Sequence, residues 1–161
     1  MISHIIHSKS ANQLFNVERS SVGTVLAFDF GEKRIGVAVG ELELGLAHPL
    51  VTVSEEATKS RFEVITKLIE EWEPVQLIVG LPLHTDGTDH KLTSLSKRFA
   101  RRLKGRFGIS TKLVDERYTS VTANMGLREA GVKGKKQKLV IDQVAAQQIL
   151  QSYFDRQNEL T

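Results

Sequence analysis

Residues Thr24 to Gly40 read TVLAFDFGEKRIGVAVG, and the spacing of apolar runs, glycines and charges in this stretch sets the architecture. Thr24 to Phe30 is a short apolar run of strand formers bounded by Gly23 and Gly31, and Arg34 to Val39 is a second such run a few residues on. Two adjacent strands joined by a tight turn are expected. One charge, Asp29, interrupts the end of the first run. A carboxylate placed there requires a paired cation, a metal or a dense set of donors. The alternative is a turn aspartate that accepts hydrogen bonds from the amides of Gly31 and Glu32.

Toward the C-terminus, Leu46 to Val53 supplies a third strand run, in which Pro49 lacks a backbone donor and argues for a bulge or a strand entry. The opening is thus a three-stranded antiparallel meander. From Thr58 to Trp72 the apolar positions Phe62, Ile65, Leu68, Ile69 and Trp72 recur at helical steps, and Pro74 ends the helix. Val75 to Val79 is apolar enough to be a strand covered on both faces, as parallel strands are. A second helix is expected from about Lys91 to Arg106, with Leu92, Leu95, Phe99 and Leu103 inward, and a fifth strand over Thr111 to Val114. A short helix over Val121 to Ala130, capped by Thr119 or Ser120, should be followed by a basic loop, Val132 to Lys138, and a last helix from about Leu139 to Phe154. The expected class is α/β: a mixed five-stranded sheet, three strands antiparallel and two parallel, flanked by helices. It occupies residues 23–157, behind a weakly ordered arm at 1–22 that shows neither period.

A chain of 161 residues suits one domain with its own core. It holds no cysteine, which excludes disulfides, thiolate zinc sites and a cysteine nucleophile. No stretch resembles a signal peptide or the roughly 18 apolar residues of a membrane span, so a cytoplasmic protein without a membrane partner is expected. The net charge of +3 is unevenly spread. Lys91 to Val114 contains eight Lys or Arg and no acid, whereas Glu55 to Glu73 contains six acids and three bases. A polyanionic partner fits that polarity; a solvated helix face fits it equally. The five histidines show no metal-ligand spacing and are assigned no site.

Further carboxylates stand where the Asp29 end of the sheet should be. Asp115 and Glu116 follow the fifth strand, and because successive strand residues face opposite ways only one of them turns easily toward Asp29. Glu116 is the choice taken. Asp142 shares a helix face with Ala145, Ala146 and Ile149, so it points where the core points, and the two alanines allow a close approach to the sheet. A first-turn aspartate favoured by the helix dipole is the other explanation. Hard oxygen ligands at Asp29, Glu116 and Asp142 select Mg²⁺ or Mn²⁺, and two such ions roughly 4 Å apart can support phosphodiester cleavage. Lys33 and Arg34 beside Asp29, Arg117 beside Glu116, and Lys133, Lys135, Lys136 and Lys138 before Asp142 are candidate phosphate contacts.

Four segments in order, DFGEKRIGVAVG from Asp29, GLPLHTDG from Gly80, DERYTS from Asp115 and DQVAA from Asp142, resemble the YqgF/RuvX family. The resemblance covers nearly everything from Thr24 to Phe154. It implies a ribonuclease H-like fold related to Holliday junction resolvases, with nuclease residues at Asp29, Glu116 and Asp142, and a role in maturing the 5′ end of pre-16S ribosomal RNA. The partner is then a ribosomal RNA precursor or branched DNA, with monomer and homodimer both open. Two other classes are compatible with parts of the sequence. Asp29-Phe30-Gly31 also fits the first phosphate loop of actin-like ATPases, although one domain of this length cannot enclose a nucleotide as two do. A non-cutting RNA-binding assembly factor would keep the basic surface but gain nothing from carboxylates aimed at phosphates.

Overall fold

The computed structural model describes residues 22–116 and 134–160. β1 (Thr24–Asp29), β2 (Ile35–Glu41) and β3 (Leu46–Val53) form the expected meander. Helix α1 (Thr58–Trp72) then crosses to β4 (Gln76–Leu81), and α2 (Thr93–Phe107) crosses to β5 (Ser110–Asp115). The sheet order is β3-β2-β1-β4-β5, with β1/β4 and β4/β5 parallel. This is the mixed five-stranded sheet read from the sequence. Pro49 marks a bulge: Val37 pairs Val51 and Ala38 pairs Pro49, which leaves Leu50 as the extra residue.

Strand alternation divides the interior into two layers. Leu26, Phe28, Ile35, Val37, Val39, Leu77 and Val79 pack against α1 and α2 through Phe62, Ile65, Phe99 and Leu103. On the other face, Val25, Ala27, Ala38, Ile78 and Val114 pack against Ala146, Ile149, Leu150, Tyr153 and Phe154 of one long helix, α3 (Gly134–Leu160). The two faces of β2 differ in size. Its α3 side carries Gly36, Ala38 and Gly40, so the helix backbone comes down onto the sheet. A methyl group at Gly36 would lie 1.8 Å from the Asp142 carbonyl oxygen, and one at Gly40 would lie 2.7 Å from the Phe154 ring. Glutamines of α3 also serve the edge strand: the Ala47 amide donates to Gln151 Oε1, and Gln147 Nε2 donates to the Ala47 carbonyl, both at 3.0 Å. Those bonds occupy backbone groups that an edge would otherwise leave open.

Two sequence expectations change. The stretch Val132 to Lys138 is not wholly a loop, because α3 begins at Gly134 and takes Lys135, Lys136 and Lys138 into its first turns. Lys and Gln are good helix formers, and Gly134 at φ +75° makes the entry. The second helix starts at Thr93 rather than Lys91, and its buried residues are Thr93, Ser96, Phe99, Ala100 and Leu103, with Leu92 and Leu95 only half-buried. The Thr93 hydroxyl fixes that start: it donates to the Pro82 carbonyl and accepts from the His90 amide. The expected arm up to residue 21 and the short helix at Val121 to Ala130 lie outside the described residues.

Candidate active site

Asp29 ends β1 on the same face as Val25 and Ala27, the α3 face. On β5 that face is shown by Val114, so Glu116, two residues on, turns toward Asp29 while Asp115 turns away. The Glu116 amide donates to the Leu81 carbonyl at 3.3 Å and thereby extends the β4/β5 ladder by one residue. The choice between Asp115 and Glu116 thus follows from strand parity. The Asp29 and Glu116 side chains hydrogen bond to each other. Asp29 is therefore not a turn aspartate capping Gly31 and Glu32.

Gly80, on the α3 face of β4, leaves the space that this pair uses. A methyl group there would stand 2.5 Å from Glu116 Oε2 and 2.5 Å from Ile149 Cδ1. Asp142 arrives from above, on α3. The early start of that helix puts Asp142 in its third turn, beyond the reach of the N-terminal dipole. Its carboxylate is oriented instead by Arg34, whose Nε donates to Asp142 Oδ2 at 2.7 Å, with 32% and 19% of the two side chains exposed.

All three carboxyl groups hold protons more tightly than usual. Burial is the largest cause for Asp29, which lies well above the ordinary aspartate range; the Glu116 charge and hydrogen bond and then the Asp142 charge push the same way. Burial also raises Glu116, opposed by the hydrogen bond with Asp29 and reinforced by Asp115. Burial raises Asp142 against the lowering effect of Arg34. Two carboxyl groups can hydrogen bond only through a proton, which the Asp29/Glu116 pair shares. A proton thus offsets negative charge where a cation could do the same. Among the described residues, no three His, Asp or Glu side chains are already gathered around one point.

Lys33, Lys136 and Lys138 are exposed, while Arg34 is drawn into the site by Asp142. Lys135 lies on α3, and Arg117 and Lys133 lie outside the described residues. The loop after β4 is a small closed hairpin. Asp86 Oδ1 accepts from the Thr88 amide and hydroxyl, Leu83 bridges Asp89, and Gly87 sits at φ +87°. Any side chain at position 87 would strain this backbone.

Sequence reading missed Arg61. This buried residue of α1 donates through Nε to the Glu55 carbonyl at 2.6 Å and through its Nη2 to the carbonyls of Gly31, at 2.8 Å, and Glu32. It fastens the turn that follows Asp29. The signal was present: Arg61 lies four and seven residues before Ile65 and Leu68, a basic residue on the apolar face of its helix.

A family model described as "RuvX: Holliday junction resolvase" matches residues 23–156. A relative from Nitrosospira multiformis is 63% identical over 139 residues, covering 86% of this chain and 92% of the relative. Another, from Nitrosomonas europaea, is 61% identical over 136 residues, covering 84% and 92%. Both carry the name "Putative pre-16S rRNA nuclease". Among solved structures, T. thermophilus RuvC in complex with Holliday junction substrate superimposes with a TM-score of 0.51 at 14% identity, covering 84% of this chain and 96% of that one. At that identity the likeness concerns the fold, and it agrees with a ribonuclease H-like architecture.

Proposed function

Since the chain belongs to the RuvX family, we propose that it is a metal-dependent nuclease that hydrolyses phosphodiester bonds of a ribosomal RNA precursor, at the 5′ end of pre-16S rRNA, in the cytoplasm. The observation that carries this reading is the meeting of Asp29, at the end of β1, and Glu116, just after β5, in one hydrogen-bonded pair beneath Asp142. A structural role would not require two partly buried carboxyl groups to face each other.

The donor set fits a hard divalent cation: all three groups are carboxylate oxygens, and the Asp29/Glu116 pair already needs a positive charge between its members. Asp29, Glu116 and Asp142 would hold the ion or ions. Mg²⁺ or Mn²⁺, two ions in our reading, would supply activation of a water and neutralisation of charge on the leaving oxygen. The residues of the chain have separate tasks. Asp29 must release its proton before it can serve as a ligand. Arg34 keeps the Asp142 carboxylate turned toward the sheet. Arg61 holds the turn after Asp29, so the strand end does not drift. Lys33, Lys136 and Lys138, with Arg117, Lys133 and Lys135, would carry the phosphates flanking the cut.

The family description itself favours a second substrate, a four-way DNA junction, which would require a symmetric dimer. The deciding experiment offers the wild type a 5′-extended 16S precursor and a four-way junction, each with Mg²⁺, Mn²⁺ or EDTA. Metal-dependent cutting of the precursor supports the proposal, and cutting of the junction alone transfers it to DNA. No cutting of either, with RNA still bound, would replace the nuclease by a binding factor.

A further inference from the structure

On the opposite face of the sheet from the carboxylates, α1 and α2 enclose a cavity of about 220 Å³. Its walls are mainly aromatic and basic, with Thr58 and one carboxylate, Glu32, also in the lining and the Arg61 guanidinium 5.5 Å from the centre of the Phe30 ring. Phe30, Phe62 and Phe99 form one side, with Phe99 centred 5.1 Å from Phe30 and 6.0 Å from Phe62. Arg98 and Arg102, one turn apart on α2, form the other, and neither has a hydrogen bond or ion pair among the described residues. A packing defect would be apolar and dry. Unpartnered guanidinium groups beside aromatic rings instead suit a ligand with a flat ring and an anionic group. The volume is below the roughly 300–1,000 Å³ of sites for drug-sized molecules, so a single such unit is the right scale.

Position narrows the occupant. Phe30 immediately follows Asp29, so the cavity and the carboxylates meet across the end of β1 and face opposite sides of the sheet. A single strand laid over that edge can present one phosphate to the carboxylates and turn a neighbouring nucleotide into the cavity. We infer that this cavity holds an unstacked nucleotide of the substrate strand, its base against Phe30 and Phe99 and its phosphate on Arg98 and Arg102. The inference rests on the nuclease reading for its choice of ligand. Single-stranded nucleic acids are bound in this way elsewhere, by aromatic stacking combined with basic side chains along the backbone.

The test is an NMR titration of the full-length chain with a single-stranded adenosine pentaribonucleotide in EDTA, where cleavage plays no part. The amides of Phe30, Leu95 and Phe99 should shift. Leu95→Trp, which fills the cavity from α2, should weaken binding about tenfold. The double variant Arg98→Gln/Arg102→Gln should do the same and keeps the test valid if the tryptophan disturbs folding. A pentamer lacking its bases should leave Phe30 and Phe99 unmoved. Unchanged affinity in the double variant, or shifts confined to α3, would overturn the inference. Adenosine monophosphate binding as tightly as the pentamer would also overturn it, by showing a site for free nucleotides. Shifts at the cavity in a protein that cuts nothing would refute the nuclease reading and leave the nucleotide pocket standing.

Discussion

Asp29 is the most deeply buried of the three carboxyl groups, and its elevated proton affinity has a sign that can be checked. The folded chain binds the Asp29 proton more tightly than the unfolded chain, whose aspartates titrate near ~3.9. The stability this contributes is therefore full below the unfolded value and is lost as pH rises through the folded one. Melting temperatures in EDTA should fall over that range, and Asp29→Asn should flatten the fall because an amide has no proton to lose. A parallel pH curve in the variant would remove Asp29 as the cause. Cleavage should run the opposite way and rise with pH as the carboxyl groups become free to bind cations. Arg61→Leu leaves the carbonyls of Gly31, Glu32 and Glu55 without their donor and should cost about 1.5–3 kcal/mol in urea unfolding, with a lower kcat. Asp29 announced itself in the sequence as a charge ending an apolar run. Arg61 left a weaker signal, its place on the apolar face of α1, which reads as solvated until the helix is seen to rest on the turn.

Between elements, the decisive contact is α3 against β2. Gly36→Ala should destabilise the fold by about 1–3 kcal/mol, since its methyl would fall on the Asp142 carbonyl, and it should reduce cleavage as Asp142 moves. Chemical denaturation together with single-turnover rates would show both effects. A Gly36→Ala protein of native stability and rate would mean that α3 is free to shift. Much of this layer could be read beforehand. Short apolar runs of strand formers gave three strands, the missing donor of Pro49 gave a bulge or a strand entry, and helical spacing gave α1 to the residue. The start of α3 escaped because lysine is at home in both a loop and a helix, and only docking against the sheet decides. Phe99 and Leu103 face inward as expected, but the first turn of α2 was misread: Thr93 is buried by its own hydrogen bonds, not by hydrophobicity, and Leu95 lines the cavity.

At the scale of the molecule, a sheet covered on both faces leaves its C-terminal edge to carry function. There the carboxylates sit on one side and the cavity on the other, while Lys136 and Lys138 are exposed in the first turns of α3, the helix that carries Asp142. Nucleic-acid affinity should fall steeply with salt. If Lys136 and Lys138 contact phosphates as proposed, Lys136→Gln or Lys138→Gln should each lower the slope by about 0.7 for a single strand, measured by anisotropy across a salt series. A flat response would contradict a phosphate-tracking surface. Charge blocks in the sequence suggested a polyanion without saying where it lies, because a run of basic residues does not reveal which side of a helix the sheet will take.

A single-turnover cleavage experiment decides whether the carboxylates meeting at the end of β1 are the catalytic centre. It uses the 5′-extended 16S precursor under titration with Mn²⁺ and compares wild type with Glu116→Gln. The expected result is metal-dependent cutting by the wild type and its loss in Glu116→Gln, with RNA affinity and folding unchanged. Equal cutting by both proteins, or cutting that persists in EDTA, would contradict that assignment.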